Sequence, residues 1–92
     1  MNKTTLSAAL IQKQVPANLH AGLLNYIGHG ISPGGFLTAV LRNNLFAAYD
    51  RSDNPQQIEK VVRFLQNDAP NACYGSDRIM QDWIARSGLE GL

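Results

Sequence analysis

Three side chains in this sequence carry chemistry from which active sites are often built: His20, His29 and Cys73. The histidines are nine residues apart, on and just beyond a segment with helical spacing, and we expect each to be a surface or half-buried side chain. Cys73 matches no catalytic signature and has no basic neighbour within residues 70–75, so we expect a small buried thiol. The acidic residues are scattered and lack metal-ligand spacing. The sequence therefore predicts no catalytic residue, no metal site and no cofactor, in a protein that is not an enzyme and has no small-molecule substrate.

The glycine-rich segment 28–35 invites comparison with a phosphate-binding loop. Loops of that kind follow a β-strand, and the P-loop ends in lysine followed by serine or threonine. Here a predicted helix precedes the segment and Phe36 follows it. We therefore favour a helix–helix connection in which glycine supplies positive φ angles and close packing.

The basic residues are candidates for binding a partner and not for catalysing a reaction. The sequence contains eight lysine and arginine residues and seven acidic residues, which gives a formal net charge of +1. This balance argues against a strongly basic nucleic-acid binder and against a polyacidic nucleic-acid mimic. Spread charges of this kind are usually solvated. Four of them, if they share one side of the fold, would contact a phosphate backbone or an acidic protein groove. These candidate partner-binding residues are Arg42, Arg51, Lys60 and Arg63.

Two aromatic residues are further candidates for partner binding. Phe46 lies off the helical stripe of its apolar neighbours, and Tyr74 falls in a predicted loop. Both are therefore candidate exposed anchors for a protein partner, with burial against a neighbouring helix as the alternative. Leu37, Val61 and Trp83, by contrast, are predicted to lie in the core.

The elements that must position these residues are predicted to be helical. Apolar residues recur at three- and four-residue spacing, and no segment alternates with a period of two. The predicted helices cover 4–14, 17–27 and 33–41, a continuation over 45–49 that Asn43 and Asn44 kink or break, a segment that begins at Asn54 and Pro55, and a last one capped by Ser76 and Asp77. This is an all-α fold, a compact single domain of four to six short helices over residues 1–92.

Two of the helix boundaries are predicted from glycine, serine and proline. Gly28 and Gly30 close the second helix, because glycine favours the end of a helix. Ser32 caps the third helix, and Pro33 takes its first position, where a missing N–H costs nothing.

The length and the single cysteine bound the class of protein. A chain of 92 residues should expose roughly 5,300 Å² when folded, against about 14,600 Å² when unfolded, which is enough burial for one core. One cysteine excludes an internal disulfide and is compatible with a reducing compartment such as the cytoplasm. No apolar run approaches the roughly 20 residues of a membrane helix, and residues 1–7 lack the layout of a signal peptide. We expect no membrane partner.

Several blocks of the sequence resemble a family of small phage- and prophage-encoded proteins of unknown function. They are the stretch 31–45, the stretches 48–53, 64–70 and 73–76, and Trp83. The resemblance covers residues from about 15 to 83, and its most specific parts are Pro-Gly-Gly-Phe-Leu-Thr-Ala-Val-Leu at 33–41 and Gly-Ser at 75–76. Tyr74 departs from the family, which has tryptophan before that Gly-Ser. The resemblance implies a phage origin and no known catalytic residues.

This resemblance, with the small size of the chain, suggests by analogy the phage proteins that disarm host defences, of which anti-CRISPR proteins are the best-known group. We predict a protein of the host bacterial cytoplasm that binds and sterically inhibits a host protein machine, with a CRISPR-Cas surveillance complex as the leading target. The alternative is a small helical DNA-binding regulator, with residues 33–49 as two of its helices. Leu45, Phe46 and Ala47 offer few base-reading groups, so nucleic acid is the secondary partner. A virion or assembly component, marked by self-association, is a third hypothesis.

Overall fold

Six α-helices form the part of the chain that the structure, a computed structural model, describes, namely residues 3–52 and 54–91. They are α1 (Lys3–Gln12), α2 (Ala17–His29), α3 (Gly35–Leu41), α4 (Leu45–Arg51), α5 (Gln56–Asp68) and α6 (Asp77–Ala85). Two short 3-10 helices, Asn71–Cys73 and Gly88–Gly91, flank α6. Helices account for 75% of the described residues and no strand occurs among them, so the predicted all-α fold is confirmed. Asp53, in one of the resembling blocks, lies outside them.

The first two helices pack through the apolar stripe that the sequence predicts. Leu6, Ala9 and Leu10 of α1 are buried. After the turn, the N–H of buried Val15 donates a 3.0 Å hydrogen bond to the carbonyl of Leu10, which closes the end of α1. Pro16 then directly precedes α2, where its missing N–H leaves no helical hydrogen bond unmade.

The end of α2 lies two residues later than predicted, because Gly28 belongs to the helix and Gly30 alone terminates it. Gly30 has a φ of 70° and donates its N–H to the carbonyl of Tyr26 at 2.9 Å. A β-carbon on Gly88 would lie 2.6 Å from the carbonyl oxygen of Ile27, so the 3-10 helix Gly88–Gly91 passes directly over this end of α2. Of the glycines in segment 28–35, Gly30 alone has a positive φ angle, and an added β-carbon there would lie 2.9 Å from the backbone of Ser87 and Gly88. The predicted role of glycine in the helix connection is therefore met at Gly30 only.

The predicted start of α3 is wrong by two residues. The helix begins at Gly35, and neither Ser32 nor Pro33 belongs to it. The Thr38 hydroxyl donates a 3.2 Å hydrogen bond to the carbonyl of Pro33, while the Thr38 N–H bonds to the carbonyl of Gly34 at 2.9 Å. Gly34 is extended, with a ψ of 172°, and its carbonyl accepts the first hydrogen bond of α3. Consecutive glycines disfavour the helical conformation through their backbone entropy, so the helix starts only within this pair.

Helix α6 begins directly after its predicted capping residue Ser76, whereas α5 begins at Gln56, one residue beyond the predicted first-turn residue Pro55. The Asn54 side chain accepts a 3.1 Å hydrogen bond from the N–H of Gln56, where α5 begins. The Ser76 hydroxyl accepts a 3.2 Å hydrogen bond from the N–H of Ile79 in the first turn of α6. Both bonds satisfy backbone donors that a helix start leaves free.

The core draws on all six helices. Leu37, Val61 and Trp83 are buried, as predicted, and Tyr26 and Phe64 are fully enclosed. The total accessible surface is 5369 Å², close to the roughly 5,300 Å² expected from the mass alone. In the part of the chain that the structure describes, no helix is both long and apolar enough to cross a bilayer.

Candidate protein-binding surface

Helix α4 is set apart from α3 by the two asparagines that predict a break. Asn43 adopts a φ of 62°, a left-handed conformation that asparagine tolerates better than most residues and that ends α3. The Asn44 side chain then accepts a 3.1 Å hydrogen bond from the N–H of Ala47 and starts α4. The sequence prediction of a kink or two short helices is therefore confirmed as two helices.

The outer face of α4 carries large apolar side chains in contact with solvent. Phe46 is 93% exposed, Tyr49 57% and Leu45 50%. Residues three and four apart in a helix are neighbours on one face, so these three side chains form one surface, which we call the α4 patch. The prediction that Phe46 lies off the buried stripe is confirmed.

The inner face of α4 carries only small side chains. Ala48 is buried and Ala47 is half-buried, while their larger neighbours point outward. Helix α4 packs mainly against α3, and the alanines allow this close contact. Leu45 and Tyr49 have the same apolar periodicity as buried residues, so periodicity alone does not separate them from the core. The signal that would have separated them is the contrast between small and large apolar residues around this short helix.

A groove between α4 and α5 adjoins the α4 patch. Its volume is about 500 Å³. Tyr49 belongs both to the patch and to the groove wall, so the two features are continuous. The lining residues are Tyr49, Pro55, Gln56, Ile58, Glu59, Val62, Arg63 and Gln66.

A second, smaller cleft of about 230 Å³ lies on the other side of Val62 and Gln66, which it shares with the groove. Tyr74 lines this cleft and is half-buried, so the prediction of an exposed anchor is only partly met. The reason is a long-range contact: the N–H of Gly75 donates a 2.9 Å hydrogen bond to the carbonyl of Leu41 and holds the Tyr74 segment against α3.

The four predicted basic residues do not form one free cationic surface. Arg42 Nε lies 2.9 Å from Asp77 Oδ1, and an Arg63 guanidinium nitrogen lies 2.9 Å from Glu59 Oε1. Two of the four charges are therefore compensated locally. Each such exposed pair contributes at most about 1 kcal/mol to stability. The pairing nevertheless reduces the positive charge that the arginine can offer to a phosphate.

The other two basic residues lie apart from the groove. Arg51 Nη1 donates a 3.4 Å hydrogen bond to the carbonyl of Gly35 at the start of α3. Lys60 is half-buried on α5 and lines neither the groove nor the Tyr74 cleft. Of the six predicted site residues, Arg63 thus lines the groove and Tyr74 lines the adjacent cleft. Phe46 lies on the α4 patch.

His20, His29 and Cys73, whose side chains could do catalytic chemistry, lie in separate contacts and not in one site. His20 Nε2 donates a 2.7 Å hydrogen bond to the carbonyl of Val15, and His29 Nδ1 lies 2.8 Å from Glu90 Oε1. Cys73 is fully buried, as predicted, and burial raises the pKa of its thiol to about 12. That thiol stays protonated at neutral pH and is a packing group. Within residues 3–52 and 54–91, no three His, Cys, Asp or Glu side chains are placed to hold a metal ion.

Comparison of the chain with known protein families, with curated proteins and with solved structures finds no match. The surface around α4 is the most distinctive feature of the described residues. Its distinguishing property is a nearly fully exposed phenylalanine beside an apolar groove.

Proposed function

We propose that this chain is a stoichiometric inhibitor that binds a protein partner through the α4 patch. The exposure of Phe46, with Leu45 and Tyr49 beside it, is the observation that carries the proposal. Contiguous exposed apolar side chains rimmed by polar groups mark interaction sites in soluble proteins. Aromatic side chains near the centre of an interface commonly supply much of its binding energy.

The proposed target is a bacterial protein machine, with a CRISPR-Cas surveillance complex as the leading candidate. This choice of target comes from the resemblance to small phage and prophage proteins and from the analogy with anti-CRISPR proteins. The proposed mechanism is steric: the helical surface covers a nucleic-acid channel or a joint between subunits. No bond is made or broken, and the inhibitor is not consumed.

The chemistry of the surface favours a protein over nucleic acid as the direct partner. Arg42 and Arg63 are already paired with carboxylates, and the net charge is only +1. Nucleic-acid affinity depends chiefly on unpaired cations that neutralise phosphates. The α4 patch instead presents two aromatic rings and a leucine, which gain most from burial against another apolar surface.

Binding of the purified chain to a purified CRISPR-Cas surveillance complex tests the proposal. Surface plasmon resonance gives the affinity, and a DNA-capture assay reports whether the bound complex still recognises its target. We expect Phe46→Ala to weaken binding at least tenfold, which corresponds to about 1.4 kcal/mol, and to restore DNA capture by the same factor.

The matched control is Ile11→Ala, which removes an exposed apolar side chain from α1, outside the α4 patch. It should bind as the unmodified chain does. Equal affinity of Phe46→Ala and the unmodified chain would rule out the α4 patch as the contact surface. Failure of the unmodified chain to bind surveillance complexes of the major types would overturn the choice of target.

A further inference from the structure

We infer that the α4 patch and the adjoining groove pair with the same surface of a second copy of this chain, forming a two-fold dimer. The inference uses the surface of the proposed function but not its partner. Such a dimer would cover the patch until a target displaces the second copy. Three properties of the surface carry the inference: its shape, its charge and its area.

The surface carries both a projecting side chain and a depression. Phe46 projects from α4, and the 500 Å³ groove lies beside it with Tyr49 common to both features. A two-fold interface brings the same patch of each copy together, so one copy's projection meets the other copy's depression.

The charges at the groove are also self-complementary. Glu59 and Arg63 both line the groove, and they pair with each other at 2.9 Å within one helix. One anion and one cation can exchange partners across a two-fold axis, where a surface of one sign would repel itself. The net charge of +1 adds little general repulsion between copies.

The area is sufficient for a weak dimer. From their exposed fractions, Leu45, Phe46 and Tyr49 offer on the order of 400 Å² of apolar surface per copy. Two copies would bury about 800 Å² of apolar area, and interfaces are roughly 60% apolar, so the whole contact would reach about 1,300 Å². This lies at the low end of specific interfaces, which begin at about 1,200 Å².

A second copy fits the observations better than an unrelated apolar segment. The projection, the depression and both signs of charge occur on one face of one chain, which is what a two-fold contact requires. Other exposed apolar residues, such as Ile11 and Ile31, come from different parts of the chain and are not joined to the groove.

Sedimentation equilibrium of the purified chain, from about 1 to 500 µM, tests the inference. The apparent mass should rise from the monomer value of 10.1 kDa toward twice that value. Phe46→Glu should stay monomeric over the whole range, whereas Ile11→Glu should dimerise normally. Because both side chains are exposed, neither variant should lose its fold, which far-ultraviolet circular dichroism verifies.

A mixing experiment tests the charge pairing across the axis. Glu59→Arg replaces the Glu59–Arg63 pair with two cations, and Arg63→Glu replaces it with two anions. Each variant alone should therefore dimerise at least fivefold more weakly than the unmodified chain. An equimolar mixture should recover dimer, because the two surfaces are then complementary. Intrahelical pairing cannot produce this recovery, since neither chain regains an opposite charge of its own.

Each failure has a distinct meaning. A constant monomer mass up to about 500 µM overturns the dimer, and so does a dimer that Phe46→Glu leaves intact. Mixed charge variants that do not recover overturn the proposed pairing of the two surfaces. A monomeric chain that still binds the surveillance complex contradicts only the dimer, and a dimeric chain that ignores the complex contradicts only the inhibitor.

Discussion

The indole Nε1–H of Trp83 donates a 3.0 Å hydrogen bond to the backbone carbonyl of Tyr26, and both side chains are buried. The Tyr26 hydroxyl donates a 2.6 Å hydrogen bond to the carbonyl of Cys73. These bonds join α2 to α6 and to the 3-10 helix Asn71–Cys73 in the middle of the core. Because a buried polar group is costly unless it is paired, the two bonds favour one arrangement of these three elements.

Removing the hydroxyl in Tyr26→Phe should therefore destabilise the fold. The Cys73 carbonyl would lose its 2.6 Å donor inside the core, and the free energy of unfolding should fall by about 1 to 3 kcal/mol. Urea denaturation followed by the fluorescence of Trp83, the single tryptophan, measures this change. Tyr49→Phe removes the same hydroxyl from an exposed site and should change stability by less than about 0.5 kcal/mol. Equal losses in the two variants would contradict a special role for Tyr26.

The buried thiol should make the fold sensitive to alkaline pH. Burial raises the pKa of Cys73 from its ordinary value of 9.0 to about 12, and burial also raises the pKa of Tyr26. The unfolded chain therefore releases the thiol proton first. The stability from the protonated thiol is fully present below the unfolded pKa and is lost as the pH rises toward the folded one. The loss from the thiol alone should approach about 1.4 kcal/mol per pH unit above about pH 9.

Urea denaturation at about pH 7.5, 9 and 10 measures this dependence, because tyrosine contributes little until about pH 10. Cys73→Ala should be less stable at neutral pH, yet its stability should fall less steeply over the same interval. The backbone carbonyl that Tyr26 uses is kept in this variant. Parallel pH profiles for the two chains would show that the thiol is not the group responsible.

The sequence predicts the fold well because its signals are local. A capping residue such as Ser76 acts within one turn of its helix, and the left-handed Asn43 with the cap of Asn44 separates α3 from α4. Apolar spacing then identifies the buried stripes, as it does for Leu37 and Val61. None of these signals needs knowledge of the other elements.

The candidate surface was only partly predictable because it depends on contacts between distant segments. Arg42 is neutralised by Asp77, which follows it by more than 30 residues in the sequence. Tyr74 is half-buried because Gly75 bonds to Leu41. Tyr49 has the apolar spacing of a core residue but faces outward. Periodicity identifies a face of a helix, but it does not show whether another helix covers that face.

The cap of α4 should control the order of the α4 patch. Asn44→Ala removes the acceptor of the Ala47 N–H and should cost about 1 kcal/mol. A helix of seven residues has few hydrogen bonds of its own, so amide hydrogen exchange should accelerate in α4 before it does in α5. Asn18→Ala, at an exposed position of α2, is the control and should leave exchange in α4 unchanged. Unchanged α4 exchange in Asn44→Ala would show that packing on α3 alone holds the helix.

Duplex DNA should bind weakly, because Arg42 and Arg63 already have carboxylate partners. Fluorescence anisotropy with a short labelled duplex should give a dissociation constant above about 100 µM at physiological salt. The double variant Glu59→Gln, Asp77→Asn frees both guanidinium groups and should bind more tightly at low salt, with a steeper dependence on salt. Micromolar, salt-dependent binding by the unmodified chain would instead favour the DNA-binding regulator.

The contact between Gly88 and the end of α2 should be intolerant of any side chain. Gly88 has a φ of 62°, and an added β-carbon would lie 2.6 Å from the carbonyl oxygen of Ile27, which is backbone and cannot move aside alone. Gly88→Ala should therefore lower the free energy of unfolding by more than about 1 kcal/mol. Gly28→Ala is the matched control on the other side of the contact: an added β-carbon there has nothing within 4 Å.

Because Gly28 lies inside α2, alanine at that position should stabilise the chain by about 0.5 to 1 kcal/mol. The two substitutions add the same atom to neighbouring parts of the structure and should move the unfolding midpoint in opposite directions. Thermal denaturation of the two variants beside the unmodified chain measures both signs at once. A stabilising Gly88→Ala would mean that the 3-10 helix Gly88–Gly91 does not pack on α2 in solution, since only a free segment could accept the methyl group without displacing backbone.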